Sequence, residues 1–250
     1  MLLTPRLRLL SGPFVQRLGA HRWIKGVGNW WGLHPGAGAG PLIATITFRS
    51  TGADLSPLVE VSGTPEVQWA WSDGTTASGL SPTKTFGSAA PRVHTLTVDP
   101  ATDLIGINFG YDAGDSGPSW IPLHPAQSVD QCSGLQSAPN LRYWTAAQGI
   151  ITTMDFSGLA HLTHIESFQG SLITANLIGC TGLIRANFEQ NHMTSLDFTD
   201  CVLLEDFRGT NNSLAFVEWG NKGAGQYLWH HCAMNNPLGT TRFQFNRFPV

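Results

Sequence analysis

Six positions of alternating apolar and polar character open the stretch MTSLDFTDCVLL, residues 193–204, before Thr199-Asp200-Cys201 breaks the pattern. Such alternation marks a short half-buried strand. The stretch is one of a set, because its apolar positions recur every 21 residues. Ile151, Leu172, Met193 and Leu214 share one phase, Met154, Ala175, Leu196 and Val217 a second, and Phe156, Leu177, Phe198 and Trp219 a third. Leu141, Leu162, Leu183 and Leu204 form another column, as do Trp144, Ile165, Ala186 and Phe207, and also Leu159, Cys180 and Cys201. Repeats of this length bury their apolar side only against each other, so they predict a stack of coils. A coil of 21 residues is too short for a strand plus a full helix, which leaves two short extended segments per turn. Coils then stack at about 4.8 Å, the spacing of paired strands.

With Leu, Met, Phe, Trp and the cysteine column inward, two polar ladders are expected outward. One is Asp155, Asn176, Asp197 and Glu218. The other pairs Tyr143, His164, Arg185 and Asp206 with Thr145, Glu166, Asn187 and Arg208. Either ladder can be a plain solvated face, but an aromatic ring, a histidine and charges of both signs make the second more like a recognition surface. The candidate binding residues are therefore Tyr143, His164, Arg185, Asp206, Glu166 and Arg208.

Residues 41–100 carry a different pattern. LIATITFRS alternates over 42–50, VQWAWSDGT places Val67, Trp69 and Trp71 on one side before a turn at Ser72-Asp73-Gly74, and a later strand contains Leu96 and Val98. Short strands punctuated by turn residues predict a β-sandwich. Residues 101–140 are expected as linker and solenoid N-cap, with DLIGINFGYDAGDSG at 103–117 as the first strand or cap of the coil, 141–219 as four repeats, and 220–250 as an aromatic cap sealing the last open coil.

The motif L-x-x-L-x-x-x-x-N-x-L-T-x-L-D-F-x-x-C, from Leu141 to Trp219, resembles the short leucine-rich repeats of bacterial and phage proteins. Gly149 and Gly170 stand where that family's asparagine ladder would continue from Asn191 and Asn212. The string WAWSDGT…SPTKTF…HTLTV is similar to polycystic-kidney-disease-type immunoglobulin-like domains, with Lys84 in place of the usual His and Ser72 in place of a Gly. The resemblance implies a spacer or binding module. The combined expectation is a mainly β chain: an immunoglobulin-like β-sandwich followed by a short leucine-rich-repeat solenoid with little helix.

Composition adds two points. Only 12% of residues are charged, against about 25% in soluble domains. The net charge of −3 hides an asymmetry, since every charged residue before Asp54 is basic. Residues 1–40 read as a Gly/Trp-rich docking arm carrying Arg6, Arg8, Arg17, Arg22, Trp23, Lys25, Trp30 and Trp31, a mixture suited to an interface rather than to a core of its own. Arginines interrupt each apolar run near the start, so no secretory signal is expected, and no apolar run is long enough for a transmembrane helix. The cysteines, Cys132, Cys180, Cys201 and Cys232, lack CxxC spacing and read as small buried apolar residues.

Three candidate chemistries fail on their residues. Gly114-Asp115-Ser116-Gly117-Pro118 lacks a glycine of the serine-protease nucleophile motif and has no matching histidine upstream, so it reads as a turn. His230-His231-Cys232 offers no third metal ligand on one face, and Asp112 with Asp115 lacks the regular calcium loop. No catalysis, cofactor or metal is expected.

The expected function is a non-catalytic structural or recognition subunit of a large assembly: a phage virion protein, whether capsid decoration, fibre or tail accessory. Other protein subunits meet it through the arm, and a protein or glycan ligand meets the solenoid face. Nucleic acid is not an expected partner. The alternative is a bacterial surface adhesin, and a more distant one a glycan-active enzyme. The expected location is a virion or other extracellular or surface assembly.

Overall fold

The computed structural model describes residues 42–110, 128–219, 229–231 and 235–237. The docking-arm residues Arg6, Arg8, Arg17, Arg22, Trp23, Lys25, Trp30 and Trp31 lie outside the described residues, as do the 111–127 stretch with Asp112 and Asp115, Cys232 and most of the expected cap.

The described chain is almost entirely β. Its helical content is two single turns, Ala101–Asp103 and Leu135–Ser137. The first half supplies β1 (Ala44–Ser50), β2 (Asp54–Leu55), β3 (Leu58–Val61), β4 (Glu66–Ala70), β5 (Thr76–Ser78), β6 (Lys84–Thr85) and β7 (Arg92–Asp99). Then follow β8 (Leu104–Asn108), β9 (Val129–Ser133), β10 (Tyr143–Thr145), β11 (Thr153–Asp155), β12 (His164–Glu166) and β13 (Thr174–Asn176). The chain continues through β14 (Arg185–Asn187), β15 (Ser195–Phe198), β16 (Asp206–Arg208), β17 (Phe216–Trp219) and β18 (Trp229–His231).

One sheet is five-stranded and antiparallel, in the order β5-β4-β7-β1-β9. Its alternation follows the sequence: Ala44, Ile46, Phe48 and Ser50 on β1, and His94, Leu96 and Val98 on β7, all point into the core. The second sheet has seven strands, in the order β18-β16-β14-β12-β10-β8-β3. From β8 to β18 its strands are parallel, and β3 closes one edge antiparallel to β8. The turns from β10 onward form a β-solenoid of about four coils, with the second strand of each coil in the pairs β11-β13 and β15-β17.

Sheet register follows the repeat, so that Tyr143 stands beside His164, His164 beside Arg185 and Arg185 beside Asp206. Trp144, Ile165, Ala186 and Phe207 are buried in one column, and Leu141, Leu162, Leu183 and Leu204 in another. Asn191 Oδ1 accepts the Leu172 amide at 2.9 Å while its Nδ2 donates to the Ser167 carbonyl at 2.6 Å, and Asn212 does the same for Met193 and Phe188 at 3.0 and 2.7 Å. Asn236 continues the ladder by accepting the Leu214 amide at 2.9 Å. At Gly170 the coils approach too closely for such a side chain, because a Cβ there would lie 2.9 Å from the Gly149 carbonyl oxygen and 3.0 Å from Asn191 Oδ1.

Cys180 and Cys201 occupy their shared column buried and outside any disulfide. Burial pushes the Cys180 thiol up to about 12, and its Sγ donates to the Phe156 carbonyl at 3.1 Å.

A buried histidine ties the five-stranded sheet together. His94 packs among Phe48, Trp71 and Phe86, with ring centroids 5.2, 5.4 and 5.3 Å away. The Ser72 amide can only donate, so Nδ1 accepts it at 3.4 Å and Nε2–H donates to Ser50 Oγ at 2.9 Å. A proton on Nδ1 would oppose that amide, and burial with neighbouring Arg92 lowers the imidazole to about 4. The unfolded imidazole titrates near 6.5. The unfolded chain therefore binds the extra proton between about pH 6.5 and 4, and stability falls as pH drops through that window. The loss should reach the order of 3 kcal/mol. Urea midpoints between pH 7 and 4.5 check this, and His94→Phe should flatten the slope.

Candidate recognition surface

Side chains two apart on a strand share a face, so the seven-stranded sheet presents two rows. The first runs Glu60, Gly106, Tyr143, His164, Arg185, Asp206 and on to the position of Trp229. The second runs Leu58, Asn108, Thr145, Glu166, Asn187, Arg208 and on to the position of His231.

All six predicted binding residues fall on these rows, but they are not equally available. Tyr143, His164, Arg185, Asp206 and Arg208 are half-buried, whereas Thr145, Glu166 and Asn187 are buried, with Glu166 only 1% exposed. Burial pushes the Glu166 carboxyl up, opposed chiefly by Arg185. Arg185 Nε sits 3.0 Å from Glu166 Oε1, an ionic contact without the alignment of a hydrogen bond. The same Nε lies 3.5 Å from Asp206 Oδ2, which is 3.6 Å from Arg208 Nε. Two acids and two guanidinium groups thus neutralise each other in the middle of the face. Beside them the His164 ring lies 5.6 Å from that of Tyr143, and its Nδ1 is 3.0 Å from Thr163 Oγ1. Burial and the Arg185 charge lower its pKa, so it stands neutral near pH 7.

The other polar ladder is turn chemistry. Asp155 accepts the Ser157 amide at 3.0 Å, Asn176 the Ile178 amide at 3.2 Å and Asp197 the Thr199 amide at 2.8 Å. Asn176 Nδ2 also donates to Asp155 Oδ1 at 3.0 Å, linking adjacent coils.

At the β3 end the face opens into a groove of about 310 Å³, with Leu58, Glu60, Leu80, Gly106, Asn108, Tyr143 and Thr145 on its walls. Gly106 lies on its floor, where a Cβ would stand 3.0 Å from Glu60 Cβ, 3.2 Å from Glu60 Oε2 and 3.5 Å from Tyr143 Cβ, so the Glu60 side chain folds over the glycine. In the stretch expected as the first strand or cap of the coil, residues 103–117, β8 pairs with β10, but sequence reasoning did not count Gly106 on the face and missed β3 with Glu60. A signal was present, since LIGINF at 104–109 matches LIRANF at 183–188 in four of six residues. The spacing of 37 residues from Gly106 to Tyr143 hid it, because β9 and its neighbours are inserted there.

Among the described residues no group of three or more His, Cys, Asp or Glu side chains is placed to hold a metal, and no helix is long and apolar enough to cross a membrane. No family model, curated protein or solved structure matches the chain.

Proposed function

We propose that this protein is a non-catalytic recognition subunit of a large assembly, a phage virion protein that presents the seven-stranded face to a protein or glycan ligand. In this reading the coils are leucine-rich repeats, the five-stranded sheet opposite β3 and β8 is an immunoglobulin-like sandwich, and the basic arm docks on other subunits. The carrying observation is the first row, where an aromatic ring, an imidazole and both charge signs stand half-exposed in register on rigid strands. Sites built on such strands are held more firmly than sites on loops. The carboxylates of the face that lie near each other, Glu166 and Asp206, are both held by Arg185, which supports a binding role over glycan cleavage.

The test is attachment. Tyr143→Ala with His164→Ala should reduce ligand attachment by about tenfold or more, the loss of a central aromatic anchor, with the unfolding midpoint changed little. The chain lacking residues 1–38 should keep its fold and fail to co-sediment with particles. Co-sedimentation of the truncated chain overturns the docking role, and fractionation of the intact chain with a bacterial envelope marks an adhesin.

A further inference from the structure

We infer that the groove at β3, β8 and β10 receives one basic side chain, lysine or arginine, of a partner protein. The inference rests on reading the face as a recognition surface and names what its β3 end takes. The groove's volume, about 310 Å³, lies at the bottom of the range for ligand pockets, about 300–1,000 Å³, and suits one extended side chain.

The walls match such a side chain part by part. Leu58 and Leu80, the latter 45% exposed, offer an apolar rail for an aliphatic stem. The missing side chain of Gly106 lets Glu60 fold over it and set its carboxylate at the floor of the groove, and Tyr143 closes the far side, where an aromatic ring attracts a cationic head. Glu60 stands over Gly106, next to an irregularity of register between Glu60 and Val61. Irregularities of this kind re-aim a side chain at a sheet edge.

Charge decides the sign of the ligand. The two arginines of the face are committed to Glu166 and Asp206. The Glu60 carboxyl is raised by burial alone, with no cation or hydrogen-bond donor among the described residues acting on it. Glu60 is exposed at the groove, and a carboxylate there with no counter-charge among the described residues attracts an incoming cation and repels an anion. A neutral sugar would leave that charge unmatched and find an apolar rail where it needs hydrogen bonds.

The experiment is a titration of the ¹⁵N-labelled full-length chain with Ac-Gly-Lys-Gly-NH₂ and Ac-Gly-Arg-Gly-NH₂, read at the amides of Gly106, Ile107 and Tyr143. Saturable shifts with at least one basic peptide are expected. The norleucine and glutamate analogues should bind about fivefold more weakly or not at all, the change carried by a partly screened ion pair. Glu60→Gln should reproduce that loss with an unchanged melting transition, and Leu80→Ser should weaken binding through the stem. No saturable shift with either basic peptide, an equal response to norleucine, or full binding by Glu60→Gln overturns the inference. If the Tyr143 and His164 variant loses attachment while the basic peptides bind nowhere, the face stands and this inference falls.

Discussion

Replacing Phe198 by Ala is expected to lower the free energy of unfolding by about 3–5 kcal/mol. Phe198 is fully buried on β15, its ring 5.0 Å from that of Phe207 and 5.5 Å from that of Trp219, stacked nearly flat on the latter. Phe207 and Trp219 also meet edge to face at 5.5 Å, so the three rings form one closed contact. Truncation removes two aromatic pairs as well as buried area. The void cannot collapse, because Asn191 and Asn212 fix the spacing of the coils on either side. Phe198→Leu should cost less, and Ile178→Ala, at a site 65% exposed, should stay within about 0.5 kcal/mol. Urea unfolding with an unchanged m-value checks all three. A cost below about 1 kcal/mol for Phe198→Ala would mean that the coil interior is loosely packed.

Arg185→Ala is the second large effect, and it changes what a binding experiment at this position can mean. The substitution leaves Glu166, 1% exposed, without the guanidinium 3.0 Å away. Stranding one partner of a buried ion pair costs about 3–5 kcal/mol. The loss should depend on pH. Burial already raises the Glu166 carboxyl, and removing Arg185 raises it further above the unfolded value near 4.3. The penalty is therefore full at neutral pH and fades as pH falls through the new folded value, where the acid takes up its proton. Arg185→Met combined with Glu166→Leu should recover most of the loss, since replacing both partners by apolar groups removes the stranded charge. If Arg185→Ala is neutral at pH 7, Glu166 is solvated or already protonated. Loss of attachment in Arg185→Ala would report on folding rather than recognition, which is why Tyr143 and His164 are the better probes.

The solenoid was legible because its signal repeats. One coil of alternation is weak, but Leu141, Leu162, Leu183 and Leu204 in phase fix both the coil length and the inward side, and the buried columns follow from them. The six predicted face residues fall on one face for the same reason. Their exposure was not legible, because alternation tells which side of a strand a residue faces and not how deeply that side is covered. Glu166, Thr145 and Asn187 point away from the coil interior and are nevertheless buried. The place of β8 at the start of the coils was legible in LIGINF, but its register against β10 was hidden, because an insertion destroys the phase that would set Gly106 beside Tyr143. The attachment of β3 to β8 and of β9 to β1 is antiparallel pairing between distant segments, for which a sequence carries no spacing at all.

Those two attachments have a consequence for how such a chain can change over generations. β3, from the first half, begins the sheet that the coils continue, while β9, from beyond residue 100, completes the sheet of the first half. Phe48, Phe109, Trp144 and Phe156 touch in sequence across the junction, with centroids 5.0, 5.5 and 5.8 Å apart. A recombination crossover near residue 100 would therefore orphan one strand on each side and cut through an aromatic core, so neither half is a module that can be shuffled. Gain or loss of a whole 21-residue unit between β12 and β16 breaks nothing of the kind. It moves the Glu60 end and the far end apart or together by about 4.8 Å, and loss of the β14 coil also takes Arg185 from between Glu166 and Asp206. In lineages descended from such a chain, reach is free to drift, while the chemistry at the two ends is inherited intact.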